Sequence, residues 1–295
     1  MKYQLVFIGF GEAAFNIATG LKEEGFSGMA AYDACMDDPK RGSLIRERAE
    51  ETGVDLISLE TAQREGKFVA SMNSASAALS VAETVIPQLQ AGQVFIDFNS
   101  ASPDVEEKID RIPRKEGVLF CDAGVMGTVP GNRHRVPMFL AGDGADIFYE
   151  AFSPFHMKMT VLDAPAGGAS AIKMLKSVVM KGLPQLMFES FEAAEQYGIL
   201  DTLVDSLSES LNGKTVEKLA DTFIVRTMIH AKRRSAEMRD VLATLDKLHT
   251  DASMTEAVVK KLDMLAEQHW EETLDLKGNL DFREAIKLIN SKKKN

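Results

Sequence analysis

The sequence predicts an α/β fold, with a parallel sheet in the first half of the chain and an all-α domain in the second half. In the first half, short apolar runs alternate with amphipathic helical stretches, which is the pattern of a parallel sheet covered by helices on both faces. Beyond residue 167 the strand-like runs stop and helical periodicity takes over. A chain of 295 residues is long enough for two cores. We therefore predict domains at residues 1–164 and 165–295.

Each predicted element follows from its own residues. Several strands are too uniformly apolar to lie at a surface. Gly198 and the pair Asn212-Gly213 are typical helix stops, and Pro184 is expected to kink the helix that contains it. The predicted strands cover residues 5–8, 28–32, 68–71, 94–98, 118–121, 138–141 and 160–162. The predicted helices cover residues 13–24, 41–52, 75–89, 103–111, 169–197, 202–211, 216–244, 254–265 and 281–289.

The first predicted strand runs directly into a Gly-x-Gly-x-x-Ala turn and then into a helix. Gly9 permits the sharp turn, Gly11 lets the backbone approach phosphate groups, and Ala14 lets the helix pack close to the strand. This order brings a dinucleotide pyrophosphate to a helix N-terminus and is typical of a Rossmann-type domain. An ordinary glycine-rich loop is the alternative. The residues predicted to bind the cofactor at this turn are Gly9, Phe10, Gly11, Glu12 and Ala13.

An acidic residue ends the second predicted strand. Asp33 lies about 20 residues after the glycine turn, where a carboxylate would receive the ribose hydroxyls of the cofactor. Because a carboxylate repels a 2′-phosphate, Asp33 favours NAD over NADP. Lys40 and Arg41 follow closely and could instead bind a 2′-phosphate, so NADP stays open. A helix cap or loop aspartate is the structural alternative.

Two further strands end in small polar residues. Asn73 follows the third predicted strand, and Asn99 and Ser100 follow the fourth, at the sheet edge where cofactor and substrate should meet. We predict that Asn73 and Asn99 bind the cofactor. Polar turns between elements are the alternative.

The segment 122–130 contains glycines that would expose backbone N–H groups. Such groups can bind a substrate carboxylate. In the loop that follows, His134 and Arg135 form a weaker candidate pair for the same task. The residues predicted to hold the carboxylate are Val125, Met126 and Gly127.

The helix that opens the second half carries lysines among apolar residues. Lys173, Ser177 and Lys181 lie on one face, at positions i, i+4 and i+8. A lysine in such a helix is costly unless solvent, a charge or a ligand receives it. Partial burial would lower its pKa towards the range that a general acid or base needs. Lys173 is therefore a candidate general acid or base, with Ser177 beside it to orient the lysine or the substrate oxygen. The alternative is a lysine stripe that reaches solvent.

A polar cluster lies on the predicted helix 216–244. His230, Arg233, Arg234 and Glu237 share one helical face. One interpretation is a solvated face with an Arg–Glu pair. In the other, His230 or Arg234 reaches the active-site cleft from a partner subunit and binds a substrate carboxylate, because a planar guanidinium suits that group.

Composition narrows the class of partners. The net charge of −10 argues against binding to nucleic acid or to acidic membranes, because those partners select basic surfaces. Cys35 and Cys121 are too few for a disulfide framework, and neither they nor the histidines have metal-ligand spacing, so we predict no metal. The first apolar run is too short to span a bilayer and carries the Gly-x-Gly turn, so we predict that it is not a signal peptide and expect a cytoplasmic protein. The apolar excess of the helical half, including Phe188 and Phe223, predicts a homodimer or larger homo-oligomer.

Together these segments resemble the β-hydroxyacid dehydrogenase family, which includes 3-hydroxyisobutyrate and 6-phosphogluconate dehydrogenases. The turn at 9–14 fits the family's dinucleotide site, and residues 97–103 are similar to its Asp-x-Ser-Thr-x-x-Pro segment. Residues 122–127 resemble its Asp-Ala-Pro-Val-Ser-Gly segment, and 167–173 resemble its Gly-x-Gly-x-x-x-Lys helix. Residues 229–238 resemble a branch with a distinctive C-terminal helical domain.

The resemblance implies reversible hydride transfer between a nicotinamide cofactor and a small β-hydroxy acid. Lys173 would exchange the hydroxyl proton, while Ser100 and the backbone of 125–127 would hold the substrate. The departures from the family pattern include Ala169 for the second glycine of the helix, Ser177 where asparagine is usual, and Met126 where serine is usual. Alternatives on the same fold are a reductase of an imine or a phosphorylated sugar acid, and a non-catalytic dinucleotide-binding redox sensor.

Overall fold

An eight-stranded sheet lies at the centre of the first of two compact units. The computed structural model describes residues 1–273 and 280–292, and the two units are Met1–Val178 and Val179–Asn295. In chain order the strands are β1 Tyr3–Ile8, β2 Met29–Tyr32, β3 Asp55–Leu56, β4 Gly66–Ser71, β5 Val94–Asp97, β6 Leu119–Val125, β7 Met138–Ala141 and β8 Met159–Val161.

The strand order across the sheet is β3-β2-β1-β4-β5-β6-β7-β8. Neighbouring strands are parallel except β6 and β7, which pair antiparallel. The carboxyl ends of β1 to β6 therefore lie along one edge of the sheet. A Rossmann-type sheet followed by a helical domain confirms the predicted fold class.

Both faces of the sheet are buried, which explains the uniformly apolar strands. In β1, Leu5 and Phe7 belong to the core cluster on one face. Val6 and Ile8, which alternate with them, belong to the cluster on the other face. Every position of the strand after Gln4 is therefore apolar.

Helices cover the sheet and form the rest of the chain. Those of the first half are α1 Glu12–Glu23, α2 Gly42–Thr52, α3 Leu59–Glu65, α4 Ala78–Val85, α5 Pro103–Asp110, α6 Val129–Asn132 and α7 Ala145–Phe152. The remainder are α8 Gly168–Gln196, α9 Leu200–Leu211, α10 Val216–Ile229, α11 Ala231–Lys247, α12 Ser253–Ala266, α13 Trp270–Thr273 and α14 Phe282–Lys292.

Several elements differ from the prediction. Strand β3 has only two residues, and helices α3 and α7 were not predicted. Helix α7 contains Phe148 and Phe152, which lie in the core, so burial outweighs the modest helix propensity of aromatic residues there. The predicted helix 75–89 ends earlier, in a 3₁₀ turn at Ile86–Gln88 that contains Pro87, because proline removes a helical hydrogen bond.

The predicted helix 216–244 is two helices. His230 separates α10 from α11 with φ −105° and ψ 18°, outside the α-helical region. Its amide still donates to the carbonyl of Arg226, and its carbonyl accepts from the amide of Arg234. His230 is therefore at once the end of one helix and the start of the next, and no glycine or proline marks the break.

The second unit has its own core and polar contacts. Met228, Trp270 and Ala285 are buried together. The Glu189 carboxylate accepts hydrogen bonds from the Thr255 amide and hydroxyl, at 2.9 and 2.7 Å, at the start of α12. Within residues 1–273 and 280–292, no helix combines the length and the apolar character that crossing a membrane requires.

Candidate active site

The glycine turn after β1 has the geometry that a dinucleotide pyrophosphate requires. Gly9 has φ +94°, and a Cβ there would lie 2.5 Å from the carbonyl oxygen of Met72, so only glycine fits. A Cβ at Gly11 would meet nothing within 4 Å, so the space in front of the turn is open. Helix α1 begins at the next residue, and its first amides are available to an anion.

The other predicted residues of the turn divide into two groups. Glu12 is exposed and Ala13 half-buried in the first turn of α1, where the prediction placed them. Phe10 is fully buried, its ring centroid 5.7 Å from that of Phe7. Its amide donates to Asp33 Oδ2 at 2.8 Å. Phe10 therefore supports the turn from beneath, with its ring and its amide both engaged within the protein, and its contact with the cofactor stays a prediction.

Asp33 joins the glycine turn to the loop after β2. Its Oδ2 binds the Phe10 amide, and its Oδ1 accepts from the Cys35 amide at 2.8 Å. A carboxylate oxygen can accept a second hydrogen bond, so both oxygens can still receive ribose hydroxyls. Arg41 lies in the same loop, with Nη1 3.7 Å from Cys35 Sγ. The loop after β2 therefore carries both the carboxylate of Asp33 and the guanidinium of Arg41.

A hydrogen-bonded network joins the ends of β1, β4 and β5. The Asn99 side chain accepts from the Asn73 amide at 2.5 Å and donates to Ser71 Oγ and Asp97 Oδ2, each at 2.8 Å. Asn73 Nδ2 donates to the carbonyl of Ile8 at 2.9 Å. Asn73 is exposed, whereas Asn99 is buried with both ends of its amide engaged. Asn73 is therefore open to solvent at this strand end, and Asn99 holds its backbone from the buried side.

Three buried carboxyl groups lie behind this network, and composition alone did not single them out. Burial raises the pKa of Asp97 to about 7. Burial, with the charges of Asp97 and Asp122, raises the pKa of Glu106 to about 10. Among the described residues, neither oxygen of Glu106 has a hydrogen-bond partner. We call the buried polar residues at these strand ends, together with Glu106 of α5, the strand-end cluster: Ser71, Asp97, Asn99, Glu106 and Asp122.

Lys173 and Ser100 meet in front of the cluster. Lys173 lies one turn into α8 and is half-buried. Its Nζ is 2.5 Å from Ser100 Oγ, which follows β5 and is exposed. Burial lowers the pKa of Lys173 from its usual value. An amine of lowered pKa beside an exposed hydroxyl can take and return a proton.

The hydroxyl of Ser177, one turn after the lysine, bonds to the backbone. Ser177 Oγ donates to the backbone carbonyl of Lys173 at 3.2 Å and does not contact its amine. A serine inside a helix commonly bonds back to the carbonyl four residues earlier. Ser177 lies beside the site but does not orient the lysine in this structure.

The predicted carboxylate-binding segment is only partly available. Val125 is buried, and the amide of Met126 donates to the carbonyl of Pro137 at 2.8 Å, which extends the β6–β7 pairing. Gly127 is exposed. Of the three predicted residues, Gly127 therefore offers the accessible backbone.

The weaker candidate pair in the following loop is engaged elsewhere. Arg135 pairs with Glu24, just after α1. The buried His134 ring lies 3.6 Å from the same carboxylate. A Cβ at Gly20 would lie 2.0 Å from the ring, so this loop packs tightly on α1. The ion pair accounts for Arg135, whereas both ring nitrogens of His134 are buried without a hydrogen-bond partner among the described residues.

His230 and Arg234 belong to the second unit. His230 is half-buried between α10 and α11. Arg234 Nη1 donates to Thr227 Oγ1 at 2.6 Å. Arg233 pairs with Glu237, as the first interpretation expected.

Two family models match this sequence. Residues 4–184 match the NAD binding domain of 6-phosphogluconate dehydrogenase. Residues 194–265 match a domain of unknown function, DUF1932.

Across the described ranges, no group of three or more histidine, cysteine or acidic side chains is placed to hold a metal ion.

Individual relatives agree with the family models. A conserved hypothetical protein from Sinorhizobium meliloti is 30% identical, with 96% of this chain and 92% of that one covered and a TM-score of 0.67. A conserved protein of unknown function, described as structurally similar to 3-hydroxyacid dehydrogenases, is 26% identical, with 91% and 98% covered and a TM-score of 0.63.

A curated enzyme matches over a shorter stretch. Human (Homo sapiens) mitochondrial 3-hydroxyisobutyrate dehydrogenase is 27% identical over 145 residues, which are 49% of this chain and 42% of that enzyme. The matched nucleotide-binding model spans more than half of the chain, over the sheet, the glycine turn and the start of α8. The chain therefore belongs to the β-hydroxyacid dehydrogenase family, whose members are NAD-dependent oxidoreductases.

Proposed function

We propose that this protein transfers a hydride between NAD and a small β-hydroxy acid, with Lys173 as the general acid and base. The contact between Lys173 Nζ and Ser100 Oγ, at the carboxyl ends of the strands, is the observation that carries the proposal. In doubly wound sheets, this edge is where cofactor and substrate bind. Family membership supports the cofactor, and the half-buried lysine supports the chemistry.

The residues of this chain would divide the work as follows. When bound, the nicotinamide accepts a hydride from the carbon that carries the hydroxyl group, or returns it. Lys173, as the neutral amine, takes the hydroxyl proton during oxidation and returns it as the ammonium during reduction. Its lowered pKa increases the fraction of neutral amine near neutral pH. Ser100 holds the amine on one side and a substrate oxygen on the other.

The substrate carboxylate needs local donors, because the net charge of −10 does not attract an anion. We assign this task to Ser100 and to the backbone at Gly127, both of which are exposed. His230 and Arg234 remain proposed contributors from a partner subunit. Arg234 would then have to exchange its hydrogen bond to Thr227 for one to the substrate.

NAD is the proposed cofactor in preference to NADP. The ribose hydroxyls would bind the carboxylate of Asp33, which two backbone amides hold just after β2. A 2′-phosphate in that position would face this negative charge. Arg41 is the residue through which NADP could still bind.

We also propose a homodimer or larger homo-oligomer assembled through α8. Residues 174–188, which we call the exposed α8 segment, leave apolar side chains open to solvent: Leu175 is 67%, Val178 is 70% and Phe188 is 68% exposed. A helix that is apolar on most of its surface is normally buried. A cytoplasmic location is proposed as well, because both cysteines are free thiols, as a reducing compartment would keep them.

The test is reduction of NAD and NADP by the purified protein with a panel of 3-hydroxy acids, followed at the nicotinamide absorbance. We expect turnover with at least one hydroxy acid and a preference for NAD. Turnover only with imines, or only with phosphorylated sugar acids, would replace the proposed substrate class. NADH binding without turnover on any panel would instead support the sensor alternative and contradict the proposal.

A further inference from the structure

The first turn of α8 is held by a carboxylate from the sheet. Asp122 belongs to β6 and is 1% exposed. Its Oδ2 accepts from the amides of Gly167, Ala169 and Ser170 at 3.0, 3.1 and 3.1 Å. Its Oδ1 accepts from the Ser170 hydroxyl at 2.8 Å. A single side chain thus receives amides that would otherwise have no partner at the start of the helix.

Close backbone packing fixes the same turn from a second direction. A Cβ at Gly124, two residues after Asp122, would lie 2.7 Å from the carbonyl oxygen of Ala169. Ala169 is fully buried. The packing fixes the distance between β6 and α8, while the four directional hydrogen bonds fix the rotation of the helix.

Lys173 lies three residues beyond Ser170, almost one helical turn. Because a helix is stiff over one turn, the rotation of its first turn decides where the lysine points. Ser100, the partner of the lysine, is positioned from the same strand ends. It lies three residues after Asp97, which pairs directly with Asp122 across β5 and β6. The two residues of the proposed proton transfer are therefore both positioned from this pair of strand ends.

We propose that Asp122 is the positioning residue for Lys173: by holding the first turn of α8, it keeps the lysine amine against Ser100. This inference rests on the proposed function for its catalytic meaning, but not for its geometry. Asp122 does not touch the reacting atoms. Its effect passes through the helix.

The test is Asp122→Asn, which keeps the shape but removes the charge and replaces one acceptor oxygen by an NH2 group, which cannot accept a hydrogen bond. We expect faster hydrogen exchange at the amides of residues 167–170. We expect kcat to fall about 10²-fold, the usual size for a misplacement of about 1 Å, with the KM for NAD nearly unchanged. The pH midpoint for acetylation of Lys173, followed by peptide mass spectrometry, should move up because the amine becomes better solvated.

A matched control separates positioning from stability. Ser58 caps α3 by accepting from the Thr61 amide at 3.2 Å, away from the strand-end cluster. Ser58→Ala should lower the melting temperature by a comparable amount while leaving kcat and the Lys173 midpoint unchanged. If Asp122→Asn, like Ser58→Ala, lowers the melting temperature but leaves kcat and the Lys173 acetylation midpoint unchanged, Asp122 is only a structural cap and the proposal is wrong.

A milder variant covers the case in which Asp122→Asn does not fold. Ser170→Ala removes one of the four donors and should shift exchange and acetylation in the same direction by a smaller amount. No shift in either would overturn the proposal. Exchange and acetylation can be measured without turnover. If the wild type turns over no substrate but the variants still shift exchange and acetylation, the proposed function is rejected and the positioning role of Asp122 stands.

Discussion

Two regions of this protein reverse the usual distribution of side chains. The strand-end cluster buries polar and acidic groups at the carboxyl ends of the sheet, whereas the exposed α8 segment leaves apolar groups in solvent. Most groups in the cluster find hydrogen-bond partners within the same unit. The apolar groups of α8 do not have comparable cover in the chain described here.

The difference indicates what each region needs. Buried polar groups that bind one another form a preorganised support, so the cluster can hold Asn73 and Lys173 before any ligand arrives. An exposed apolar surface lowers its free energy only when another molecule covers it. The proposed chemistry is therefore built within one unit, while burial of the exposed α8 segment is the task that we propose for a second copy.

The largest expected effect is the loss of self-association when the exposed α8 segment is altered. Val178→Glu places a charge at the centre of the proposed interface, which should weaken self-association about 10²-fold or more. Sedimentation velocity over a concentration series measures this. Val216→Glu is the matched control, because Val216 is 83% exposed at the start of a different helix. Equal association of the two variants would contradict assembly through α8.

A second prediction concerns the least satisfied member of the strand-end cluster. Glu106, with a pKa of about 10, keeps its proton when folded and loses it when unfolded, where its pKa is near 4.5. The folded state then binds more protons, so this group makes the free energy of unfolding fall as pH rises, by up to about 1.4 kcal/mol per pH unit. Asp97, with a pKa of about 7, contributes mainly below that value. Glu106 therefore dominates between pH 7 and 10.

Glu106→Gln should flatten this pH dependence and raise stability at pH 8 to 9. Urea unfolding at several pH values measures it. Glu107→Gln is the control, because Glu107 is the exposed neighbour on the same helix. If wild type and Glu106→Gln give parallel curves, Glu106 is not a buried protonated acid.

A smaller effect tests the cofactor end of the sheet edge. Asp33→Asn removes the charge that would face a 2′-phosphate while Arg41 stays in place. The ratio of the NADPH to the NADH dissociation constant should fall about tenfold, since one close charge contributes roughly 1.4 kcal/mol. Fluorescence titration with both cofactors measures it, with Asp37→Asn in the same loop as control. An unchanged ratio would mean that Asp33 only ties the two loops together.

The smallest expected effect is on kcat, for a substitution in α8 between its anchored first turn and its exposed segment. Ser177→Ala removes a hydroxyl that bonds only to the Lys173 carbonyl among the contacts found in the described chain. We expect kcat to stay within about threefold of the wild type, because such a bond contributes little to helix stability. Steady-state kinetics measures it. A loss of more than tenfold would show that Ser177 turns towards the substrate during turnover.

Sequence was sufficient for features that depend on neighbours in the chain. The apolar run of β1, the glycine turn and the one-face spacing of Lys173 and Ser177 are local patterns, and the fold class follows from them. The break at His230 was missed because no glycine or proline marks it. Helix α7 was missed because burial of Phe148 and Phe152, not propensity, stabilises it.

The remaining parts of the site depend on contacts between distant residues. Asp122 and Ser170 are 48 positions apart, and Phe10 and Asp33 are 23 apart. No periodicity or spacing predicts that Asp33 binds the amide of Phe10, or that Asp122 caps α8. Such pairs become visible only when the strands are placed side by side.

The most direct test of the account compares two lysines of the same helix. Lys173→Met and Lys176→Met remove one amine each, three residues apart, and Lys176 is exposed. With the best hydroxy acid of the panel, Lys173→Met should lose roughly 10²- to 10⁴-fold in kcat while still binding NADH, and Lys176→Met should keep its activity. Comparable activity of Lys173→Met and wild type would contradict the role of Lys173 as general acid and base.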